Sequence, residues 1–195
     1  MQPADAVSAE DLAVLDAALS HFAADREFEP YPPFMTGTRL IVHSSTFGGS
    51  AYVRHDQVRA DSSEGNLPED ALNDLERRNN GPLVQVSGMT FSSVRRAGAA
   101  LGTWSPASPN VTLEDLDRYP RDRWSSVFEE ALKKAHPEAK AYVWVALPGF
   151  SADRRLSVVR LAFGPSTHGA MATYYLAMDA AGTWTVTWRG FCHYV

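Results

Sequence analysis

The chain has 195 residues, of which 45% are hydrophobic, and its formal net charge of -5 lacks the basic excess typical of nucleic-acid-binding proteins. Its one cysteine, Cys192, cannot form an internal disulfide, which excludes a disulfide-stapled scaffold and a zinc site built on two or more thiolates. We therefore expect a globular protein with a real core and no nucleic-acid partner.

The N-terminal residues do not have the pattern of a targeting segment. The stretch 1–5, MQPAD, has no basic residue and leads into an acidic, helix-like segment rather than an apolar run. The longest uncharged stretches of the chain are broken by glycine, serine and proline, so none is expected to cross a membrane. We expect a soluble, cytoplasmic protein without membrane association.

The first predicted element is a helix that begins after Ser8. The Ser8 hydroxyl can accept a backbone N–H, and Glu10 and Asp11 complement the positive end of the helix. An apolar stripe at the helical period predicts the buried side, and Asp11 and Asp16 are expected on other sides. The stripe consists of Leu12, Leu15, Leu19 and Phe22.

A strand and a second helix are predicted next. The segment 38–45, TRLIVHSS, is rich in strand-forming residues and predicts a strand, and 51–54 is expected to be a short partner strand in a hairpin. Pro68 lies in the first turn of a predicted helix that ends near Asn79. The charged residues of this helix are expected on its solvated side. They are Glu69, Asp70, Asp74, Glu76, Arg77 and Arg78.

The clearest pattern lies at the C-terminal end. Asp122 caps a predicted helix whose apolar face carries Trp124, Phe128 and Leu132, and four strand-like segments follow it. Their connectors hold about 4 to 8 residues, too few for parallel crossovers, so the strands should form an antiparallel meander. The predicted strands are 141–147, 156–163, 170–178 and 183–189.

These elements predict an α+β fold, an antiparallel β-meander covered by helices in a single domain over 1–195. The N-terminal half, about 8–110, is expected to pack on the C-terminal helix and meander, about 122–195. In the last strand, apolar and polar residues alternate, which predicts one buried and one solvated face. The predicted buried residues are Trp184, Val186 and Trp188, and the predicted solvated ones are Thr183, Thr185, Thr187 and Arg189.

The C-terminal 75 residues carry a pattern of turns and core aromatics. The pattern comprises Trp124, Phe128, His136-Pro137, Pro148-Gly149-Phe150-Ser151, Tyr174, Gly182 and Trp184. It loosely resembles a group of uncharacterised bacterial proteins with a C-terminal helix and a four-strand antiparallel meander. Members often carry a Cys-Gly pair between the second and third strands, where this chain has 164–169, GPSTHG. The resemblance implies the fold and no catalytic residue.

Several residues could support an enzyme. Cys192 could act as a nucleophile with a base among His43, His55 and His168, because thiolate chemistry needs a nearby proton acceptor. Cys192 and His193 point to opposite faces of an extended chain and cannot form that pair themselves. The chain has no HExxH, no GxSxG and no phosphate-binding loop, so no metal site or cofactor is expected. A hydrolase or thiol-dependent enzyme is therefore the alternative hypothesis, with unknown catalytic residues.

The favoured hypothesis is a non-catalytic domain that binds a protein partner or a small apolar ligand. Its basis is the aromatic content of the predicted sheet, because a curved sheet under a helix can enclose an apolar pocket. The expected ligand-binding residues are Tyr142, Trp144, Tyr175 and His168. If the last strand lies at a sheet edge, its backbone can also pair with another chain, and a homodimer is one such arrangement.

Overall fold

The computed structural model describes residues 7–25, 39–43, 46, 53–62, 66–84, 102–104, 130, 134, 137, 139–163 and 170–193. The helices are α1 (Ala9–Ala24), α2 (His55–Asp61) and α3 (Glu69–Asn79). The strands are β1 (Arg39–His43), β2 (Gly102–Trp104), β3 (Ala139–Val145), β4 (Gly149–Phe150), β5 (Leu156–Phe163), β6 (Ala170–Met178) and β7 (Trp184–His193). This arrangement confirms the α+β prediction. Trp124, Phe128 and Leu132, which mark the apolar face of the predicted C-terminal helix, lie outside the described residues.

All seven strands belong to one sheet. Its order is β2-β1-β3-β5-β6-β7, and the two-residue β4 pairs with β5 away from this path. β3, β5, β6 and β7 pair antiparallel in succession, which confirms the predicted meander. β1 was expected in a hairpin, but it pairs parallel with both β2 and β3 and extends the sheet beyond the meander. The sheet is therefore mixed.

Helices cover both faces of the sheet. α1 packs on one side, called here the α1 face, where Phe22, Leu161 and Tyr174 belong to the larger core cluster. α2 and α3 pack on the other side, called here the α3 face, where Leu72, Leu75 and Val158 belong to a second cluster. A sheet covered on both faces explains why β5 has buried residues in succession rather than a strict alternation.

α1 forms as its sequence predicts. The Ser8 hydroxyl accepts from the Asp11 backbone N–H at 3.1 Å, and the Asp11 carboxylate accepts from the Ser8 N–H at 2.8 Å. This reciprocal pair satisfies two backbone donors that the first turn of a helix leaves without partners. Leu15, Leu19 and Phe22 are fully buried, as the apolar stripe predicts. Leu12 is only half-buried.

The expected positions of Asp11, away from the buried side of α1, and of Arg78, on the solvated side of its helix, are both wrong. Asp11 is fully buried, and Arg78 from α3 donates to both of its carboxylate oxygens at 2.6 and 2.9 Å. Arg78 also donates to the Pro148 carbonyl at 2.7 Å. The ion pair therefore joins α1 on one face of the sheet, α3 on the other and the connection between β3 and β4.

Two acidic residues of α3 also bond to backbone groups, although Asp70 is exposed, as predicted, and Asp74 is half-buried. Asp74 accepts from the Phe150 N–H at 3.0 Å, and Asp70 accepts from the Ala152 N–H at 2.7 Å. Asn79, at the last turn, donates to the Leu147 carbonyl and accepts from the Leu147 N–H, at 2.9 and 2.8 Å. These side chains bond to backbone groups along 147–152, in addition to the short pairing of β4 with β5, so α3 fixes this segment.

Residues 53–62 differ from the sequence prediction. Val53 and Arg54 are not in a strand but lead into α2, whose first N–H, at His55, donates to Glu76 of α3 at 2.9 Å. Within the parts of the chain that the structure describes, no helix has the length and apolar character needed to span a membrane.

Candidate functional site

β7 lies at one end of the sheet order, so its outer side has no strand partner among the described residues. Ten residues of extended chain span about 33 Å. The Asp179 N–H donates to the Thr183 carbonyl at 3.0 Å, so the backbone groups of Thr183 point toward the β6 side of the hairpin. In an antiparallel pair, the next residue directs its backbone groups to the opposite side, and this alternation continues along the first part of β7. Trp184 and Val186 consequently direct their N–H and carbonyl groups away from β6. This open edge is the first part of the candidate site.

A β-bulge at Thr187 changes the predicted faces of β7. Leu176 is opposite Val186, and its neighbour Tyr175 is opposite Trp188, so Thr187 is the extra residue. Trp188 therefore lies on the α3 face rather than beside Trp184 and Val186, and the predicted common buried face is wrong. The bulge places Trp188 next to Tyr175 and moves Arg189 to the α1 face.

Gly190 makes room for the Trp188 side chain. A Cβ at position 190 would lie 2.6 Å from Cη2 of the Trp188 indole, closer than side chains allow. The glycine therefore lets the indole lie along β7 over position 190, which is opposite Thr173 of β6. Tyr175 and Trp188, called here the aromatic pair, are both half-buried and border the second core cluster beside the open edge.

Two carboxylates act on Tyr175 of the aromatic pair. Burial raises the pKa of Tyr175, and Asp70 and Asp153 raise it further, so the phenol keeps its proton at neutral pH. Hydrogen bonds from the Ser151 hydroxyl and the Arg155 N–H hold the pKa of Asp153 below its usual value. The phenol therefore faces negative charge at neutral pH, and Tyr175 can act there only as a neutral hydrogen-bonding group.

On the α1 face, Arg189 does not have the predicted solvated position. Its Nε lies 2.7 Å from a carboxylate oxygen of Asp25, at the end of α1, and its guanidinium lies 4.9 Å from the Phe191 ring centroid. Tyr174 is fully buried beside this pair, and burial raises the pKa of its phenol, with a further increase from Asp25 and an opposing effect of Arg189. His21 contacts the Tyr174 ring edge-on at 5.7 Å.

A buried polar cluster lies under the α3 face. Arg160 is fully buried, and it donates to the Thr173 hydroxyl and to the Asp61 carboxylate, both at 2.7 Å. The Cys192 sulfur lies 3.5 Å from the second oxygen of Asp61, which also accepts from the Gln57 amide at 2.8 Å. The cluster joins the end of α2 to β5, β6 and β7. Sequence analysis missed it, although one arginine inside the apolar run 158–163 is a visible signal.

His55, the proposed base whose side chain the structure describes, does not lie beside Cys192. His55 is the first residue of α2, and its Nε2 lies 2.6 Å from a carboxylate oxygen of Glu69. Cys192 instead contacts Asp61, the last residue of α2. Six residues of helix separate these positions by about 9 Å along the axis. The backbone of His43 belongs to β1, but its side chain and all of His168 lie outside the described residues.

Two of the predicted ligand-binding residues, Trp144 and Tyr175, lie far apart on the sheet. Trp144 is opposite Ala162 of β5, whereas Tyr175 of β6 is opposite Val158, on the same face of the sheet. Four residues along the strands and two strand spacings put their Cα atoms about 16 Å apart. The side chain of Tyr142 and all of His168 lie outside the described residues. Only Tyr175 belongs to the candidate site at the edge.

Cys192 is expected to react slowly with alkylating reagents. The Asp61 carboxylate accepts the thiol hydrogen, which favours the neutral thiol, and the thiolate is the reactive form. Iodoacetamide should label the native protein at neutral pH at least about tenfold more slowly than the unfolded chain. Mass spectrometry over a time course measures both rates. Equal rates, or fast labelling that depends on one histidine, would instead favour a thiol-dependent enzyme.

Among the described residues, no group of three histidine, cysteine, aspartate or glutamate side chains is placed to hold a metal ion. No protein-family model, curated protein or solved structure matches the chain. The geometry of the open edge, the aromatic pair and the flanking charges is therefore the basis for any functional conclusion.

Proposed function

We propose that the protein is a non-catalytic binding domain that captures an extended polypeptide segment along β7. The observation that carries this proposal is the position of β7, a ten-residue strand at the end of the sheet order. The backbone groups of Trp184 and Val186 that point away from β6 offer a template for one more strand. A cytoplasmic location belongs to the proposal, supported by a sequence with one cysteine and therefore no internal disulfide.

The side chains beside this edge suit protein recognition. Tryptophan, tyrosine and arginine are the residues that most often carry binding energy in interfaces. Trp188 and Tyr175 are half-buried on the α3 face, and Arg189 and Phe191 are half-buried on the α1 face. An added strand would direct alternate side chains to these two faces, so backbone pairing would supply affinity and the flanking side chains would supply selectivity.

The bulge supports selective rather than indiscriminate pairing. Bulges twist and interrupt an edge, and natural proteins use them to block uncontrolled strand addition. Thr187 divides β7 into a stretch before the bulge, 184–186, and a longer one after it, 188–193. A partner must match this interrupted edge, which favours a particular segment over any exposed strand.

The alternative of a hydrolase or thiol-dependent enzyme gains no support from the described residues. Cys192 contacts a carboxylate that is already bonded to Arg160, and His55 contacts Glu69. A thiol nucleophile needs a base that can hold its proton, and a carboxylate already bonded to Arg160 is too weak a base for that role. Binding without chemistry is the function that this geometry favours.

Selection of random linear peptides on the immobilised protein tests the proposal. Binders are expected, and Val186→Pro should abolish their binding because proline removes an N–H at the outer edge without breaking a bond to β6. Val186→Ala is the matched control, since it shortens the same side chain but keeps that N–H, and its binding should be retained.

A second arm tests pairing without altering the protein. Two copies of the best peptide are made, one methylated on the backbone nitrogens of its odd-numbered residues and the other on those of its even-numbered residues. One methylated peptide should bind, because its N-methyl groups face solvent. The other should not bind, because the N–H groups that would donate to β7 are lost. Binding of both methylated peptides, or the absence of any peptide that binds at the edge, would contradict strand addition.

A further inference from the structure

The aromatic pair borders a junction of α3 and the turn between β4 and β5. Tyr175 packs against the core cluster that contains Ala71, and Asp70 precedes Ala71 at the start of α3. Asp70 accepts from the Ala152 N–H at 2.7 Å, so the first turn of α3 and the turn that carries Asp153 meet beside Tyr175. Both carboxylates are exposed. An aromatic surface that opens to solvent therefore has two acidic groups at its side.

The basic residues nearby leave this acidity largely uncompensated. Among the described residues, neither Asp70 nor Asp153 has an ion-pair partner within 4 Å. Arg154 is directed to Glu10 and stacks over the Phe150 ring at 4.3 Å. Arg155, two residues after Asp153, offsets part of the charge of that carboxylate. The remaining charge beside the aromatic pair is negative.

We infer that the segment captured at β7 is basic and places a lysine or arginine side chain on the aromatic pair, toward Asp70 and Asp153. The inference rests on the proposed function and names its partner class. A cation over an aromatic face is attracted by the ring, and carboxylates at the ring's side strengthen that attraction. The net charge of -5 also favours the approach of a basic chain over an acidic one.

The same observations disfavour a second copy of this chain as the occupant. Between Trp184 and His193, Arg189 is the only arginine or lysine, and it is engaged by Asp25 on the α1 face. A second β7 therefore brings no available cation to the α3 face. Two chains of charge -5 also repel each other, so a homodimer lacks the charge complementarity that a basic segment provides.

The peptides selected on β7 test this inference. Lysine and arginine should be enriched at one position of the binders. Replacing that residue with norleucine, which keeps the chain length without the charge, should weaken binding about fivefold, as expected when a cation–π contact of about 1 kcal/mol is lost. Replacing it with glutamate should weaken binding further. Fluorescence anisotropy at several salt concentrations measures these affinities.

Variants of the protein give the reciprocal measurement. Asp153→Asn and Asp70→Asn should each weaken binding of the basic peptide about threefold and reduce its salt dependence, because each removes one attracting charge. The norleucine peptide should bind both variants as it binds the wild type. Glu130→Gln is the matched control, since it removes the same charge from another exposed residue.

Each outcome separates the inference from the proposed function. Binders without a basic preference, and equal affinity of the norleucine peptide, would overturn the basic partner while strand addition at β7 stands. A stable dimer in sedimentation equilibrium that Val186→Pro converts to monomer would identify a second copy as the occupant and also overturn it. Failure of all peptides to bind at the edge, with a monomeric protein, would overturn the proposed function itself.

Discussion

Gly149→Ala is expected to lower the free energy of unfolding by about 3 kcal/mol, at the upper end of what overpacking costs. An added Cβ would lie 2.5 Å from the Leu75 backbone nitrogen and 2.6 Å from its Cβ, and closer still to the Ala71 carbonyl oxygen. Two of these atoms belong to the α3 backbone, so a side-chain rotation cannot relieve the contact. α3 would have to move off the sheet and lose its bonds along 147–152.

Gly81→Ala is the matched control for this prediction. No atom lies within 4 Å of a Cβ added at Gly81, so its effect should stay within about 0.5 kcal/mol. Urea unfolding followed by circular dichroism measures both variants under the same conditions. Equal stability of the two variants would mean that α3 does not approach β4 as closely as described.

Arg78→Met is expected to cost about 3 to 5 kcal/mol, because it leaves Asp11 as a buried carboxylate without its cation. Asp11 is fully buried and Arg78 is 8% exposed in its side chain, so water cannot easily replace the lost partner. Arg77→Met is the control, since Arg77 pairs with Asp74 at an exposed position and should contribute less than about 1 kcal/mol. Urea unfolding at neutral pH measures both.

The same ion pair predicts a dependence on pH. Burial alone would raise the pKa of Asp11, but hydrogen bonds from Arg78 and Ser8 outweigh it and hold the pKa below 3.8. A carboxyl with a lowered pKa in the folded state stabilises the fold above its unfolded pKa, and this stability is lost as the pH falls through the folded value. The wild type should therefore lose this contribution below about pH 4.

Arg78→Met should behave differently in acid. Without the guanidinium, burial raises the pKa of Asp11, and its protonation relieves a buried charge. The stability difference between wild type and variant should therefore narrow as the pH falls toward about 4, and narrow further below it as the wild type loses the ion pair. Unfolding at several pH values between neutral and acidic conditions measures the difference. A constant difference over this range would show that Asp11 does not carry the charge that Arg78 neutralises.

The sequence was sufficient to predict the elements whose cause is local. α1 follows from its Ser8 cap and from leucines at the helical period, and the meander follows from β-rich segments joined by short connectors. The turn between β6 and β7 has Gly182 at a φ of 81°, a conformation that glycine adopts without strain. Neighbouring residues determine all of these features.

The remaining features depend on residues far apart in the chain. Alternation along 183–189 is unbroken in the sequence, so only pairing with β6 reveals the bulge at Thr187 and the separation of Trp188 from Trp184. Arg78 has the sequence context of a surface residue, because its partner Asp11 is 67 positions away. For the same reason, sequence analysis proposed Tyr175 as a ligand residue and considered an edge position for the last strand, but it did not connect the two.

The parallel pairing of β1 with β3 has a consequence for the rate of folding. Residues 44–138 separate these two strands, whereas the five residues 179–183 join β6 to β7. Closing the longer loop costs about 2.6 kcal/mol more in chain entropy, since this cost grows with the logarithm of loop length. We therefore expect the β6–β7 hairpin to form early in folding and β1 to join the sheet late. Until β1 joins, the outer side of β3 has no strand partner, so the rate of this step sets how long that edge stays open.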